Sequence, residues 1–145
     1  DAYTVPANVT NMVSGMFYQC KGLTSISVAE GNSAYTSIDG ILYNHNATQL
    51  ISCPVAKQGI ITVHDTVTEL YPYAFGNCSG LTSVILPDEL STIDSYAFYN
   101  CSGLKSITIQ TKLYESIVVG CIKMCELVII KIDRGEVLQP WWLSG

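Results

Sequence analysis

The sequence predicts an α/β, β-rich solenoid in which short coils of chain stack so that their strands form a parallel sheet. Three observations predict this fold. The stretch AFGNCSGLTSVIL at residues 74–86 returns at residues 97–109 as AFYNCSGLKSITI, which gives a 23-residue period. Each copy ends in apolar residues at alternate positions, which is the spacing of a strand with one buried face. A single copy is too short to bury its own apolar side, so the copies must stack on one another.

A third copy of the repeated unit lies near the N-terminus, where residues 16–28 read MFYQCKGLTSISV. The aligned positions are Phe17, Phe75 and Phe98, then Cys20, Cys78 and Cys101, then Gly22, Gly80 and Gly103. A fainter copy places Ile130 and Ile132 one period past Ile107 and Ile109. The step from Phe17 to Phe75 exceeds one period by roughly 35 positions, which indicates an insertion of that length in the array.

Within one unit the chain is predicted to run as strand, turn, short helix and turn. Val84 and Leu86 face the core, and Pro87 ends the strand because it cannot donate a hydrogen bond to a ladder. The segment SYAFYNC is long enough for one or two helical turns, with Ser95 as its N-cap. Gly103 is expected to supply the positive φ that returns the chain to the next strand. The three phenylalanines are expected to form one buried column.

Residues 31–59 are predicted to form an inserted β-hairpin or small meander. Turn signals at Asp39-Gly40 and at residues 44–46 separate short β-prone runs. These runs are Tyr35–Ile38, Ile41–Tyr43 and Gln49–Cys53. The predicted organisation is a single domain over residues 1–145, with a first repeat at 1–30, the insertion at 31–59, regular repeats at 60–110, and a degenerate repeat with a C-terminal cap at 111–145.

This pattern resembles the BspA-like leucine-rich repeats. Strands of the form Leu-x-x-Leu-x-Leu with a period of about 20 to 29 residues are typical of leucine-rich repeats. The 23-residue form, with Pro after the strand and the motif AF-x-x-C, resembles the BspA-like subfamily. The match is good over residues 5–110. Residues 111–145, which include Trp141 and Trp142, depart from the pattern. The resemblance implies a right-handed superhelix or horseshoe with the parallel sheet on its concave face, short helices outside and an inserted β-hairpin. It also implies a secreted or cell-surface protein of host-associated bacteria or protists that adheres to host proteins such as fibronectin or fibrinogen.

The outward residues of the predicted sheet are the candidate binding residues, because a solenoid presents this face as an extended surface. They are Ser25, Ser27, Ser83, Ile85, Ser106, Thr108 and Gln110. Ser25, Ser83 and Ser106 are expected to form one ladder. Small hydroxyls also suit a crowded, solvated parallel sheet, so a structural role is the alternative interpretation. For the whole chain, the alternative is a spacer within a larger surface protein that has no ligand of its own.

Four tyrosines near the repeated phenylalanines have two possible roles. Tyr18 and Tyr99 directly follow a phenylalanine, and Tyr73 and Tyr96 lie one period apart. Tyrosine is favoured at recognition surfaces because it combines a large apolar ring with a hydroxyl. We interpret Tyr73 and Tyr96 as the rim of the core, and both roles remain open for Tyr18 and Tyr99.

The composition argues against several classes of function. Charged residues make up 13% of the chain and the net charge is −5, so no basic surface for nucleic acid is expected. The most apolar stretch, residues 117–132, contains charged residues and is too short to cross a bilayer, so no membrane insertion is expected. The chain opens without a targeting segment, and we expect it to be processed or to be a fragment.

No catalytic residue, cofactor or metal site is expected. His45 and His64 are the available neutral-pH bases, and both are expected to be solvated. The sequence has no Gly-x-Ser-x-Gly elbow, phosphate loop or dinucleotide fingerprint. Enzymatic activity is therefore not predicted.

The six cysteines could form three disulfides in an exported protein. The repeat instead favours free, buried thiols at Cys20, Cys78 and Cys101, because free cysteine is among the most buried residue types. Cys121 and Cys125 lack the spacing of a zinc or redox pair.

Overall fold

In the computed structural model of the protein, short parallel strands stack into a β-solenoid. The structure describes residues 1–94 and 96–109, together with the backbone of residues 129–132 and 137–138. The strands in chain order are β1 Ala2–Val5, β2 Ser25–Val28, β3 Tyr35–Ile38, β4 Ile41–Asn44, β5 Gln49–Ser52, β6 Gly59–Thr62, β7 Glu69–Leu70, β8 Leu81–Ile85, β9 Thr92–Ile93, β10 Ser106–Ile109, β11 Ile129–Ile132 and β12 Val137–Leu138.

The strands of the repeat form one long sheet in the order β6-β8-β10-β11-β12, parallel except for β12 at its edge. Ser83 lies opposite Ser106 and Val84 opposite Ile107, each pair one period apart in the sequence. The fainter copy keeps the same register, because Ile107 lies opposite Ile130. The predicted parallel solenoid and its register are confirmed over these strands.

The first repeat lies in a separate two-stranded sheet, in which β1 and β2 run parallel with Ala2 opposite Ser25. The other edge of β2 contacts the turn between β3 and β4, since the Ile26 N–H donates to the Gly40 carbonyl at 2.8 Å. As a result, β2 does not pair with the long sheet.

A second ladder lies beside the long sheet. Strands β3, β4 and β5 pair antiparallel, and β5 then pairs parallel with β7, which pairs parallel with β9. Leu50 lies opposite Leu70, and Leu70 opposite Ile93. The Cys53 N–H donates to the Ala74 carbonyl at 2.7 Å. Residues 49–62 therefore form a complete coil, with one strand in each ladder, within the stretch between the first two repeat copies.

The predicted column of three phenylalanines is wrong. Phe75 and Phe98 stack with ring centroids 5.1 Å apart and 2° between their planes. Phe17 belongs to a different buried cluster, where its ring lies 5.6 Å from that of Tyr3. The coil of residues 49–62 lies between the first repeat and the coil of Phe75, since the Ala56 N–H donates to the Leu23 carbonyl and the Cys53 N–H to the Ala74 carbonyl. Its buried side chains belong to the main cluster, and Cys53 stands where the coil of Phe75 carries phenylalanine.

The predicted short helices are not found within the described residues, where the segments around Phe75 and Phe98 form turns. Tyr73 has a φ of 60°, which ends a right-handed helix. The Phe75 N–H donates to the Ala97 carbonyl of the next coil at 2.7 Å, so lateral hydrogen bonds take the place of helical ones. Ser95, the predicted N-cap, lies outside the described residues.

The repeated glycine has a different role from the predicted one, because Gly103 is not among the described residues with positive φ. A Cβ on Gly103 would collide with the Ser79 backbone carbonyl of the preceding coil. A Cβ on Gly80 would lie 3.1 Å from the Lys57 carbonyl. The position requires glycine because successive coils approach too closely for a side chain.

The buried thiols match the prediction at two of the three repeat positions. Cys78 and Cys101 are buried in the main cluster, together with Cys53. Cys20 is exposed in the segment before β2 and belongs to neither buried cluster. A hydrogen bond with Cys53 and burial both raise the pKa of Cys78, so this thiol stays protonated. Cys121, Cys125, Trp141 and Trp142 lie outside the described residues.

Candidate interaction surfaces

The outward face of the long sheet is lined by hydroxyl and aliphatic side chains. On β8, Val84 is fully buried while Ser83 and Ile85 face away from the core. The Ser83 and Ser106 hydroxyls lie 2.8 Å apart in a hydrogen bond, and Ser106 is only 8% exposed. These two serines therefore satisfy each other, as the structural interpretation of the ladder requires.

Two isoleucines are the most exposed large apolar side chains of this face in the part of the sheet whose side chains are described. Ile60 is 67% exposed and Ile85 is 38% exposed. Ile60 lies opposite Ser83, and Ile85 lies between Thr62 and Thr108. Ile60 is not among the predicted binding residues, because its coil lacks the Phe, Gly and Leu signature. Counting one period back from Ser83 would have found it.

The remaining predicted binding residues do not extend this face. Ser25 and Ser27 lie on β2 in the separate sheet, so the expectation that Ser25 joins the serine ladder is wrong. Gly40 packs so closely on Ser25 that an added Cβ would lie 2.9 Å from the serine hydroxyl. Ser27 and Thr4 hydroxyls form a hydrogen bond of 2.7 Å. Gln110 lies outside the described residues.

Four tyrosines form a second surface, at the turns that precede the repeated cysteines. The rings of Tyr18, Tyr73 and Tyr96 stack in that order, with centroid separations of 4.4 Å and 5.5 Å. Tyr99 lies edge-on to Tyr73 at 5.8 Å and to Tyr96 at 6.0 Å. Tyr96 is 47% exposed. The four residues therefore act as one group, which we call the tyrosine cluster.

An amide ladder runs beside the tyrosine cluster. Asn100 Nδ2 donates to Asn77 Oδ1 at 3.0 Å, and Asn77 Nδ2 donates to the Tyr18 carbonyl at 2.8 Å. Asn77 and Asn100 have φ of 60° and 55°, and Tyr73 also has a φ of 60°. Positive φ is tolerated by asparagine but is unusual for a bulky residue such as tyrosine, where it costs free energy. The strained backbone is thus concentrated at this surface.

A polar groove of about 540 Å³ adjoins the amide ladder. Its lining combines side chains from neighbouring coils, including Lys21, Gln58, Asn77, Ser79 and Asn100. The tyrosine cluster lies beside this groove. Tyr99 directly precedes Asn100 in the chain, and the Tyr18 carbonyl accepts a hydrogen bond from Asn77.

The charged residues of the described repeats are divided between the two ends of the strands. Lysines precede the strands, near the groove, and carboxylates mostly follow them. The lysines are Lys21, Lys57 and Lys105, and the carboxylates after strand ends are Glu30, Asp65, Asp88 and Glu89. Asp1 and Asp39 instead precede strands β1 and β4, and the pair Glu69 and Asp94 lies on the second ladder, within β7 and directly after β9. The side chain of Lys57 donates to the backbone carbonyl of Asp39.

The histidines make local contacts. His64 Nδ1 lies 2.7 Å from the Thr66 hydroxyl and 3.5 Å from Asp65 Oδ1, and His45 is exposed in the turn after β4. The part of the chain that the structure describes contains no group of three or more His, Cys, Asp or Glu side chains that could hold a metal ion. Within the same residues, no helix has the length and apolar character needed to cross a membrane.

The second ladder carries a carboxyl pair at Glu69 and Asp94. Gln49 Nε2 donates to Glu69 Oε1 at 2.8 Å, and Glu69 shares a hydrogen bond with the Asp94 carboxyl. This shared hydrogen bond, with partial burial as a second cause, raises the pKa of Glu69 above 4.5. The folded state therefore holds a proton here more tightly than the unfolded state. Its stability should fall as the pH rises from the ordinary glutamate pKa through the raised one.

Glu69→Gln is expected to raise the melting temperature at pH 7 by about 1–2 °C, because it removes a charge beside Asp94 at a largely exposed site. At pH 4, where Glu69 is mostly protonated, the gain should disappear. Differential scanning calorimetry measures the melting temperature of the variant and of the unmodified chain at each pH. Glu89→Gln, the same change of charge at an exposed turn, is the matched control. Equal gains from Glu69→Gln at both pH values would contradict the assignment.

Comparison with known proteins places the chain among leucine-rich repeats. The family model described as BspA type leucine rich repeat region matches residues 1–60 and 56–137, with six copies. A comparison with curated protein sequences finds no match.

Three solved bacterial structures share this fold. The pneumococcal vaccine antigen PcpA is 28% identical with a TM-score of 0.68, over 76% of this chain and 29% of that one. A leucine-rich repeat protein from Eubacterium ventriosum is 26% identical with a TM-score of 0.63, over 90% and 42% of the two chains. A leucine rich cell surface protein from Faecalibacterium prausnitzii shares the fold at 20% identity and a TM-score of 0.64, over 91% and 48%. The chain therefore spans less than half the length of each.

Proposed function

Because the chain belongs to the BspA-type leucine-rich repeat family, we propose that it is a non-enzymatic protein-binding module of a secreted or cell-surface protein. The surface location is supported by two neighbours of the same fold, one described as a vaccine antigen and one as a cell surface protein. Host proteins such as fibronectin and fibrinogen are the proposed partners, because the family resemblance implies adhesion.

The single observation that carries this proposal is the exposed pair Ile60 and Ile85 on the long sheet. The inward positions of β6 and β8, such as Ile61 and Val84, are buried, so the exposed pair is not needed for the core. Aliphatic side chains surrounded by hydroxyls match the usual anatomy of a protein interface, with an apolar centre and a polar rim. The binding face would then comprise Ile60, Thr62, Ser83, Ile85, Ser106 and Thr108. Gln110, which lies outside the described residues, remains a predicted member of this face.

A spacer without a ligand is the second candidate function. It is favoured by the hydrogen bond between Ser83 and Ser106, since these hydroxyls already satisfy each other and need no partner. In that case the sheet face serves only to stack the coils.

The test is binding of the folded chain to immobilised fibronectin and fibrinogen by biolayer interferometry. The double variant Ile60→Asp/Ile85→Asp is expected to weaken binding by about tenfold or more, because each carboxylate would be desolvated at the centre of the interface. Val13→Asp is the matched control, since Val13 is an exposed apolar residue away from this face. Unchanged binding of the double variant would remove the sheet face from the proposal, and no binding of the unmodified chain would favour the spacer.

A further inference from the structure

We propose that the groove beside the tyrosine cluster binds an acidic oligosaccharide, a short sugar chain that carries a carboxylate. This site lies on a different surface from the sheet face, and it does not depend on the protein-binding proposal. The groove has a volume of about 540 Å³. This volume is within the usual range of small-ligand sites, about 300–1,000 Å³.

The groove takes its polar groups from successive coils of the solenoid. Successive coils contribute Lys21, then Gln58, then Ser79, then Asn100. The four residues hold different places in the repeat unit, since Lys21 aligns with Ser79 whereas Asn100 aligns with Asn77. Polar groups from four coils nevertheless line one groove, which suits a ligand that is itself a chain of small polar units.

The chemistry of the lining matches sugar hydroxyl groups, which both donate and accept hydrogen bonds. The amides of Gln58 and Asn100 and the hydroxyl of Ser79 can also donate and accept. Val55 and Ala56 add an apolar part to the lining, against which the C–H faces of a sugar ring could pack. Small sites of this mixed character bind compact ligands, whereas a protein partner would require a much larger contact area.

The charge distribution favours a carboxylate-bearing sugar over a neutral one. Lys21 is the only charged residue in the described lining, and its side chain is exposed. Its ammonium group makes no ion pair within the described residues, and Lys57 and Lys105 lie at the same end of the strands. The carboxylates of the turns after β6 and β8 lie at the opposite end. Asp1 is a carboxylate at the same end as Lys21, where its Oδ2 lies 3.7 Å from a Cβ built on Gly22, but it does not line the groove. A carboxylate on the ligand would therefore pair with Lys21.

The amide groups are already held in position before any ligand binds. Asn100 Nδ2 donates to Asn77 Oδ1, and Asn77 Nδ2 donates to the Tyr18 carbonyl. Both asparagines keep a positive φ, and the stacked rings of the tyrosine cluster support the same turns. Because the groups are fixed in advance, less conformational freedom is lost on binding.

The test is isothermal titration of the full chain with three probes of similar size. The first is a tetrasaccharide of alternating glucuronic acid and N-acetylglucosamine, the second is the neutral tetramer of N-acetylglucosamine, and the third is a tetraglutamate peptide. The chain is expected to bind the acidic tetrasaccharide at least about fivefold more tightly than either other probe, because only that probe offers both hydroxyls and a carboxylate. Equal binding of the neutral sugar or of the peptide, or no binding of the acidic sugar, would overturn the proposal.

Two lysine variants carry the same change of charge and separate a site from general attraction. Lys21→Gln should weaken binding of the acidic tetrasaccharide by about fivefold or more, because it removes the charged partner of the carboxylate. Lys105→Gln, outside the groove lining, should change it by less than about twofold at physiological salt. Equal effects of the two variants would overturn the proposal. The sheet-face variant Ile60→Asp/Ile85→Asp should bind the sugar normally, so failure of one proposal can be told from failure of the other.

Discussion

Gly103→Ala is expected to destabilise the folded state by about 3 kcal/mol, at the upper end of the cost of overpacking. The added Cβ would collide with the Ser79 carbonyl, which is backbone and cannot move away without displacing the preceding coil. Opening the gap between these coils would also weaken the contact between β8 and β10. Equilibrium unfolding in urea, followed by circular dichroism, measures the loss as a lower midpoint.

Gly22→Ala is the matched control, because Gly22 holds the same place in the first repeat. Its nearest neighbour for an added Cβ is Asp1 Oδ2 at 3.7 Å, an ordinary contact. Since Gly22 does not have positive φ, alanine should be neutral or stabilise by up to about 1 kcal/mol through the unfolded state. A loss at Gly22 as large as that at Gly103 would mean that coil contact is not the reason for glycine at this position.

Phe75→Ala is expected to cost about 4 kcal/mol, the range of large core truncations. Phe75 is fully buried and stacks on Phe98, so its removal leaves a cavity and also removes a ring contact in the main cluster. Because single domains are stable by only about 5–15 kcal/mol, this loss should lower the melting temperature severely. Thermal and urea unfolding measure it, and Phe75→Leu, which keeps most of the volume, should cost less than about 1.5 kcal/mol.

Phe17→Ala tests whether the two buried clusters are energetically separate. Phe17 lies in the N-terminal cluster with Val5 and Ile26. Its truncation should increase hydrogen exchange in β1 and β2 more than in β8 and β10, because local opening follows the contacts that are lost. Equal loss of protection in all four strands would indicate one continuous core, as the sequence alone had suggested.

The repeat was predictable in its period and register but not in its number of coils. The pairing of Val84 with Ile107 and of Ile107 with Ile130 follows the spacing in the sequence. The coil of residues 49–62 was not predicted, because Cys53 takes the place of phenylalanine and the sequence of the coil does not match the repeat. The coil resembles the others in its backbone hydrogen bonds, which the sequence does not reveal. This coil explains both the position of Phe17 and the omission of Ile60.

The candidate surfaces were only partly predictable for a related reason. Alternation along a strand identified Ser83, Ile85, Ser106 and Thr108 as outward positions. It could not tell that β2 leaves the long sheet, so Ser25 was placed in the wrong ladder. The stacking of tyrosines from different coils also depends on turn geometry that no local pattern expresses.

The sequence by itself determined the period of the repeat, the strand register and the identity of most buried residues. It did so because side chains alternate along strands and equivalent residues of stacked coils lie side by side. Only the tertiary structure decided why the repeat needs glycine, where the phenylalanine column is interrupted, that four tyrosines of different coils stack, and that two asparagines line one groove. These features depend on distances between atoms of different coils, which residue spacing along the chain does not contain.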